Sequence, residues 1–325
     1  MNGLHKLVLL VFLFCFFLVF DSNAQGFNSR NKYWAIGGAL NAMNYVGELD
    51  PGPSFLSPGI KFTRYNFGLD VMRRISPRIF IRGTFSMGRI TGDDFVNSKY
   101  TYTAGDIYRK ARNLSFASQI YELKGDVVID LIEHRGKYQK RPDFVPFLFV
   151  GLAYFHHNPT AKLNGKTYDL RDLSTEGQGT GLDNASKKYR LNQIALPIGL
   201  GIRYKLSKQL DLSFEMGWRF TTTDYLDDVG GKYVDKTGLY NAKGLDAVYL
   251  ADRTPEVVTD LNLVEYIPSQ GGTYAEIIGG VPTGRTSING VGNSGDQRGD
   301  KKGRRDAYII TGLHLVYIID RKSVV

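Results

Sequence analysis

The stretch LDLSFEMGWRFT, residues 210–221, alternates large apolar side chains with polar or small ones along its whole length. In an extended chain, successive side chains point to opposite sides. One side would carry Leu210, Leu212, Phe214, Met216, Trp218 and Phe220, and the other would carry Asp211, Ser213, Glu215, Gly217, Arg219 and Thr221. A strand of this length can cross a membrane at a tilt. The stretch therefore predicts a transmembrane β-strand with lipid on one side and a polar interior on the other.

Seven other segments also resemble strands. They span about 33–43, 59–73, 78–90, 115–131, 145–156, 190–206 and 306–319. The fifth of them alternates poorly, because VPFLFVGLAYFHH (145–157) is apolar on both sides. The total of eight strands is an even number, as single-chain bacterial barrels have. The sequence therefore predicts an all-β fold, an eight-stranded antiparallel transmembrane β-barrel of the outer membrane.

The predicted connections alternate between short and long. Short turns would span about 74–78, 133–144 and 206–209, and long loops would span about 44–58, 91–114, 157–188 and 222–305. Barrels of this class have short periplasmic turns and longer outer loops. We therefore expect the short turns and both chain termini to face the periplasm.

Residues 1–24 have the pattern of a secretory signal peptide. A lysine precedes the apolar run LVLLVFLFCFFLVF (7–20), and the small residues SNA (22–24) follow it. We expect cleavage after Ala24 and export to the outer membrane of a Gram-negative bacterium. Residues 25–325 would then form a single barrel domain. An uncleaved membrane anchor is the alternative.

The composition excludes several functional classes. The only cysteine, Cys15, lies in the predicted signal peptide, so the mature chain cannot form disulfides or thiolate metal sites. The net charge of +9 is modest for an exported chain of 325 residues, so we do not expect nucleic-acid binding. Aromatic residues make up 13% of the chain, which suits the interfacial girdles of a membrane barrel.

The polar sides of the predicted strands place charges of both signs inside the barrel. These residues are Arg64, Asp70, Arg82, Glu122, Lys124, Asp126, Arg203, Glu215 and Arg219. A single buried charge is expensive, so we expect a paired network that fills the interior. A proton or ion path is the alternative, and eight strands are too few for a water-filled diffusion channel.

Three acidic residues, Asp224, Asp227 and Asp228, follow the first strand in TTTDYLDDVGGKY (221–233). Their spacing lacks the pattern of an EF-hand calcium loop. Adjacent acids also diverge in an extended chain. We interpret the stretch as the rim where the strand leaves the bilayer, without a metal or another cofactor. A cation held by these three acids is the alternative.

The histidines and a basic loop are the other candidate sites, for catalysis and for surface contacts. A lipid-modifying barrel enzyme would need a nucleophile, a histidine and an acid, but His134 and His314 have no evident serine partner, so we do not expect an enzyme. The RGD tripeptide at 298–300 is a weak signal for cell adhesion. We interpret the basic cluster around it as a solvated loop end that contacts lipopolysaccharide phosphates. The cluster comprises Arg298, Lys301, Lys302, Arg304 and Arg305.

Four motifs resemble those of the PorG-like outer-membrane barrels of Bacteroidetes. They are NYVGELD (44–50), FVPFLFVGLAYFHHNP (144–159), TDYLDDVGGKY (223–233) and QRGDKKGRRDAYIITGLHLVY (297–317). The similarity spreads from about residue 33 to residue 319, and the two C-terminal motifs are the most specific. That family is associated with the type IX secretion system. The resemblance implies a barrel without catalytic residues that contacts the periplasmic ring of this system.

The predicted periplasmic turn EHRGKYQKRPDF (133–144) is basic and is the longest on its side. We expect the contact with the ring proteins to involve Arg135, Lys137, Lys140 and Arg141. The other expected partners are outer-membrane lipid and lipopolysaccharide. The alternative function is a structural or surface-binding barrel that uses its outer loops and has no role in secretion.

Overall fold

The computed structural model describes residues 31–49, 60–97, 104–259, 272–299 and 305–319. The predicted signal peptide and residues 300–304 of the basic cluster lie outside these ranges. The strands are β1 (Trp34–Val46), β2 (Arg64–Arg74), β3 (Ile79–Asp93), β4 (Ser115–Asp130), β5 (Phe144–Leu163), β6 (Lys166–Asp169), β7 (Asn192–Lys205), β8 (Leu210–Thr221), β9 (Thr273–Ile278), β10 (Val281–Ile288) and β11 (Ala307–Ile319). Helices of four to nine residues span Asp94–Asn97, Ala104–Arg112, Leu170–Leu173, Lys236–Lys243 and Leu245–Ala251.

Eight of the strands form a closed antiparallel barrel. The order is β4-β3-β2-β1-β11-β8-β7-β5, and β5 pairs with β4 to complete the circle. Each of these strands matches one of the eight predicted from the sequence, so the predicted fold class is confirmed. The short β6 extends β5 as a hairpin, and β9 pairs only with β10. Within the described ranges, no helix has the length and apolarity that a membrane crossing requires.

The outward side of the barrel is an apolar belt. Leu40, Leu69 and Leu152 each expose about two thirds of their surface, at 67%, 67% and 66%. Aromatic side chains are exposed near both edges of the belt: Tyr65, Tyr121 and Tyr154 near one edge, and Trp34, Phe144, Tyr204 and Tyr317 near the other. An exposed apolar surface of this extent is unfavourable in water and stable against lipid tails. The belt with its two aromatic girdles is the surface of a transmembrane barrel.

Strand β8 shows the predicted alternation, because its polar or small residues from Asp211 to Thr221 are buried in the barrel. Trp218 lies on the outward side by register but is also buried. Strand β5 extends to Leu163, beyond the predicted end at 156. Its odd-numbered residues face inward, and they include Phe147 and Phe149, which explains why the segment is apolar on both sides.

The two ends of the barrel differ in size. The turn end carries the short connections 75–78, 131–143 and 206–209. The loop end carries the long connections, whose described parts pack together into a cap. Inward residues of the barrel, such as Met43 and Phe155, share one buried cluster with the loop residues Leu226 and Leu250. The cap therefore closes the loop end.

The last long loop contributes the largest part of the loop-end cap. The helices Lys236–Lys243 and Leu245–Ala251 and the β9–β10 hairpin belong to it. Leu239, Val248 and Ile278 are buried together in a second apolar cluster. The described residues of this loop are thus folded.

Candidate functional site

The barrel interior is filled at its centre by a group of charged side chains, Arg82, Lys124, Asp126 and Glu215, which we call the lumen plug. Arg82 donates to both carboxylate oxygens of Asp126 at 2.7 and 3.0 Å and to Glu215 at 2.6 Å. Lys124 donates to Asp126 at 2.7 Å. All four are buried. Two cations thus neutralise two carboxylates that come from different strands.

Further ion pairs and hydrogen bonds between inward side chains lie on both sides of the lumen plug. Towards the turn end, Arg203 binds Asp130 at 3.1 Å. His314 and Asp70 lie 2.7 Å apart. Towards the loop end, Glu122 accepts a hydrogen bond from Tyr308 at 2.6 Å and lies 3.6 Å from Arg219. The partners Asp130, His314 and Tyr308 were missing from the predicted set, although the alternation places all three on inward faces.

Arg64 is a correction to the predicted interior set. It lies at the start of β2, is only half-buried and donates to the backbone carbonyls of Lys61 and Thr63. Because β2 begins at this residue, its long side chain bends back towards the preceding residues 61–63. The eight other predicted residues lie inside the barrel.

Aromatic rings hold the interior cations in place. Arg82 and Lys124 lie 5.1 and 5.0 Å from the ring centre of Phe149. Arg203 lies 4.9 Å from Phe80 and 5.0 Å from Phe147. Such cation–π contacts are strongest where water is excluded. The interior is therefore a packed core of paired charges and aromatic rings.

The loop end contains a cluster of carboxylates from three separate segments, Glu48, Asp227 and Asp306. Ligand oxygens of the three lie within 4.8 Å of one another. Tyr45 donates to Asp227 at 2.7 Å or to Asp306 at 2.9 Å. Both aspartates are buried. We call this group the loop-end carboxylate cluster.

Burial and neighbouring carboxylates change the acidity of this cluster. Burial, followed by the charge of Glu48, raises the pKa of Asp227 well above its usual value. Burial, followed by the charge of Asp227, does the same to the pKa of Asp306. The cluster therefore retains protons at a pH where a free carboxyl is ionised. Oxygen ligands at this spacing could hold a hard divalent cation in place of those protons.

The predicted alternative of one cation held by Asp224, Asp227 and Asp228 is wrong. Asp228 turns away from Asp227 and accepts hydrogen bonds from Tyr189 at 2.7 Å and from Thr175. Its φ of 68° is left-handed, so the two adjacent carboxylates diverge. Burial raises the pKa of Asp228 to about 6, although the Arg298 guanidinium lowers it.

The RGD-containing segment is also placed differently from the prediction. Arg298 is buried, binds Glu176 at 3.1 Å and donates to the backbone carbonyl of Asp228 at 2.7 Å. Gly299 lies so close to Gly230 that a Cβ atom would approach its backbone to 2.7 Å. Arg298 is therefore part of the cap core and is not available for lipopolysaccharide. Arg305 is exposed.

The loop-end carboxylate cluster joins three of the motifs that resemble the PorG-like barrels. Tyr45 and Glu48 belong to NYVGELD, Asp227 to TDYLDDVGGKY and Asp306 to the last motif. The proximity of Asp227 and Asp306 follows from the strand order, because β8 and β11 are neighbours in the barrel. A loop that leaves β8 and returns to β11 begins and ends at one place.

Each of the four histidines that the structure describes lies against a polar partner, and that of His134 is the carbonyl of Lys137 at 3.0 Å. His156 is hydrogen-bonded to Asn192 at 2.8 Å, and His157 contacts the carbonyl of Arg190. Ser213 pairs with His314 across the strands, but both are buried inside the barrel. A substrate in the outer leaflet cannot reach this pair.

The turn end has an exposed basic surface. Arg135, Lys137 and Lys140 are exposed on the connection 131–143, and we call these three residues the basic turn. Arg141 is a correction to the predicted contact set. It is buried, binds Asp211 at 2.6 Å and donates to the backbone carbonyls of Tyr138, Ser207, Lys208 and Leu210. Arg141 therefore fixes the turn to the barrel and offers no free charge to a partner.

Comparisons with known proteins give one family match and several solved structures of similar fold. A family described as a domain of unknown function (DUF6089) matches residues 7–239. No curated protein matches the sequence. The fold is similar to that of Neisserial surface protein A, with a TM-score of 0.36, 8% identity and coverage of 87% of this chain and 96% of that chain. It is also similar to OprG from Pseudomonas aeruginosa, with a TM-score of 0.38, 9% identity and coverage of 89% and 97%.

Proposed function

We propose that this chain, which belongs to the DUF6089 family, is a non-enzymatic outer-membrane barrel that anchors or contacts the periplasmic ring of a type IX protein secretion system. The family match over residues 7–239 covers more than half of the chain. The secretion role is supported by the four motifs that resemble PorG-like barrels. In this proposal the turn end faces the periplasm and the loop-end cap faces outwards.

The observation that carries the proposal is a closed barrel with a fixed basic surface at its turn end. The lumen plug fills the centre of the barrel with paired charged side chains, which suits anchoring better than transport. Arg141 holds the connection 131–143 against the barrel with an ion pair and several hydrogen bonds. The basic turn is thereby presented in one conformation, which lowers the entropy cost of binding a partner.

Charge reversal of the basic turn tests the proposed contact. We expect the triple variant Arg135→Glu, Lys137→Glu and Lys140→Glu to lower co-purification with the ring proteins about fivefold, because complementary charges become repulsive. The matched control reverses three exposed basic residues at the loop end, Lys162, Lys187 and Arg190. Equal co-purification of both triple variants and the unmodified chain would refute the contact.

A surface-binding barrel without a secretion role is the second candidate. The tip of the β9–β10 hairpin favours it, because Ile277 and Val281 expose 58% and 66% of their surface on the cap. Deletion of the gene separates the two functions. Loss of secreted cargo supports the secretion role. Intact secretion with loss of surface adhesion supports the second candidate.

A further inference from the structure

A pocket at the turn end carries more positive than negative charge. Four basic residues line it: Arg74, Arg141, Arg203 and Lys205. Two acidic residues, Asp130 and Asp211, line it as well. We call this the turn-end pocket. It lies between the connection 131–143 and the ends of β7 and β8, where the barrel interior opens towards solvent.

Both acidic residues of the turn-end pocket already form ion pairs with basic residues of the same pocket. Asp130 binds Arg203 at 3.1 Å, and Asp211 binds Arg141 at 2.6 Å. The pocket thus keeps a positive potential beyond what its own acids neutralise. Lys205 reaches Asp143 at 3.0 Å, but that carboxylate is 78% exposed, so the pair is weakened by solvent and is readily exchanged.

Arg203 provides an unused donor in the same pocket. Its side chain is 8% exposed, and its Nε makes no hydrogen bond to any described residue. The guanidinium lies between the rings of Phe80 and Phe147, which fix its position. A buried donor without an acceptor is costly, so a group that accepts a hydrogen bond is favoured at this position.

We infer that the turn-end pocket binds a carboxylate from an acidic segment of a periplasmic protein. The inference rests on the proposed function in one respect: the turn end, and with it the pocket, faces the periplasm. A carboxylate would accept from Arg203 Nε, replace Asp143 at Lys205 and offset the excess positive charge. The basic turn lies beside the pocket and would contact further acidic residues of the same segment.

Direct binding to the full-length barrel in detergent micelles tests this inference. The probe is a fluorescent tetraglutamate peptide with an amidated C-terminus, and the reference is tetraglutamine with the same amidation. We expect only tetraglutamate to bind. Tetraglutamine with a free C-terminus shows whether a chain-terminal carboxylate is accepted as well. Equal binding of the two amidated peptides would overturn the inference, as would binding of phosphatidylglycerol vesicles without binding of tetraglutamate.

Two lysines of the same region provide the matched variants. Lys205→Gln removes a charge that lines the turn-end pocket, and we expect it to weaken tetraglutamate binding about fivefold. Lys208→Gln removes an exposed charge that does not line the pocket, so binding should stay unchanged. An identical effect of the two substitutions would show that binding follows overall charge and not the pocket.

The tetraglutamate binding test and the secretion assay can fail separately. If tetraglutamate binds as expected but deletion of the gene leaves secretion intact, the proposed function fails and the pocket remains a carboxylate site. If secretion is lost on deletion but tetraglutamate does not bind, the pocket inference fails and the proposed function remains.

Discussion

The lumen plug and the loop-end carboxylate cluster both bury aspartates, and they stabilise them in opposite ways. In the lumen plug, Asp126 is surrounded by Arg82 and Lys124. In the cluster, Asp227 and Asp306 form no ion pair with any described lysine or arginine, and burial with neighbouring carboxylates raises their pKa. Cations neutralise the first group and protons the second. The cluster therefore binds protons more tightly in the folded chain than in the unfolded chain.

The largest expected effect comes from removing the central cation of the lumen plug. Arg82→Leu would leave Asp126 and Glu215 buried without their shared partner, and we expect a loss of about 3–5 kcal/mol in the free energy of unfolding. Urea unfolding of the barrel in lipid vesicles measures it. The control is Arg78→Leu in the turn 75–78, where the side chain is exposed, and it should change stability by less than about 0.5 kcal/mol. Similar losses for both substitutions would contradict the plug's structural role.

A smaller effect is expected from pH at Asp228. Burial raises the pKa of this carboxyl from its usual value of about 4 to about 6. Between these two values the folded cap keeps a proton that the unfolded chain releases. The stability that this proton contributes is present below pH 4 and is lost as pH rises to about 6, by up to about 3 kcal/mol. Hydrogen exchange of cap amides at pH 4.5 and pH 7 measures the loss.

Two substitutions determine whether Asp228 causes this pH dependence. Asp228→Asn keeps a side chain that tolerates the left-handed backbone. It should reduce the slope of the profile between about pH 4 and pH 6, and the part due to Asp227 and Asp306 should remain. Asp172→Asn removes an acid that is 70% exposed and should leave the profile unchanged. A profile that keeps its slope in Asp228→Asn would assign it to another group.

The sequence predicted the barrel well because its strands follow a period of two. Residues 210–221 alternate because one side of the strand faces lipid and the other faces a packed polar interior. Strand β5 was harder, because Phe147 and Phe149 face inwards as partners for cations. An apolar residue inside this barrel thus has a role that hydrophobicity alone does not reveal.

The partners of the charged residues could not be predicted to the same degree. Arg82 meets Glu215 across the closed barrel, and that contact depends on the stagger of all eight strands. Arg141 was predicted to contact a partner together with the three other basic residues of its turn. The sequence does not show that its side chain reaches Asp211 at the end of the barrel. Asp227 and Asp306 are distant in sequence, and only the pairing of β8 with β11 brings them together.

The smallest expected effect sharpens the comparison between the two groups of acids. Because Asp306 retains a proton in the folded cap, an asparagine resembles its native form, whereas Asp126→Asn removes a charge that faces two cations. We therefore expect Asp306→Asn to cost less than about 1 kcal/mol at pH 5 and Asp126→Asn to cost about 3 kcal/mol or more. The free energy of unfolding of each variant at pH 5 measures the difference.

At higher pH, Asp306→Asn is expected to stabilise the chain rather than to destabilise it. The folded pKa of Asp306 is raised, so the native acid contributes stability that is lost as pH rises, and asparagine cannot lose it. Asp306→Asn should therefore match or exceed the stability of the native chain at pH 8, while Asp126→Asn should remain destabilised at both pH values. A cost for Asp306→Asn that grows with pH would mean that Asp306 is stabilised as an anion, and the contrast between the lumen plug and the loop-end carboxylate cluster would fail.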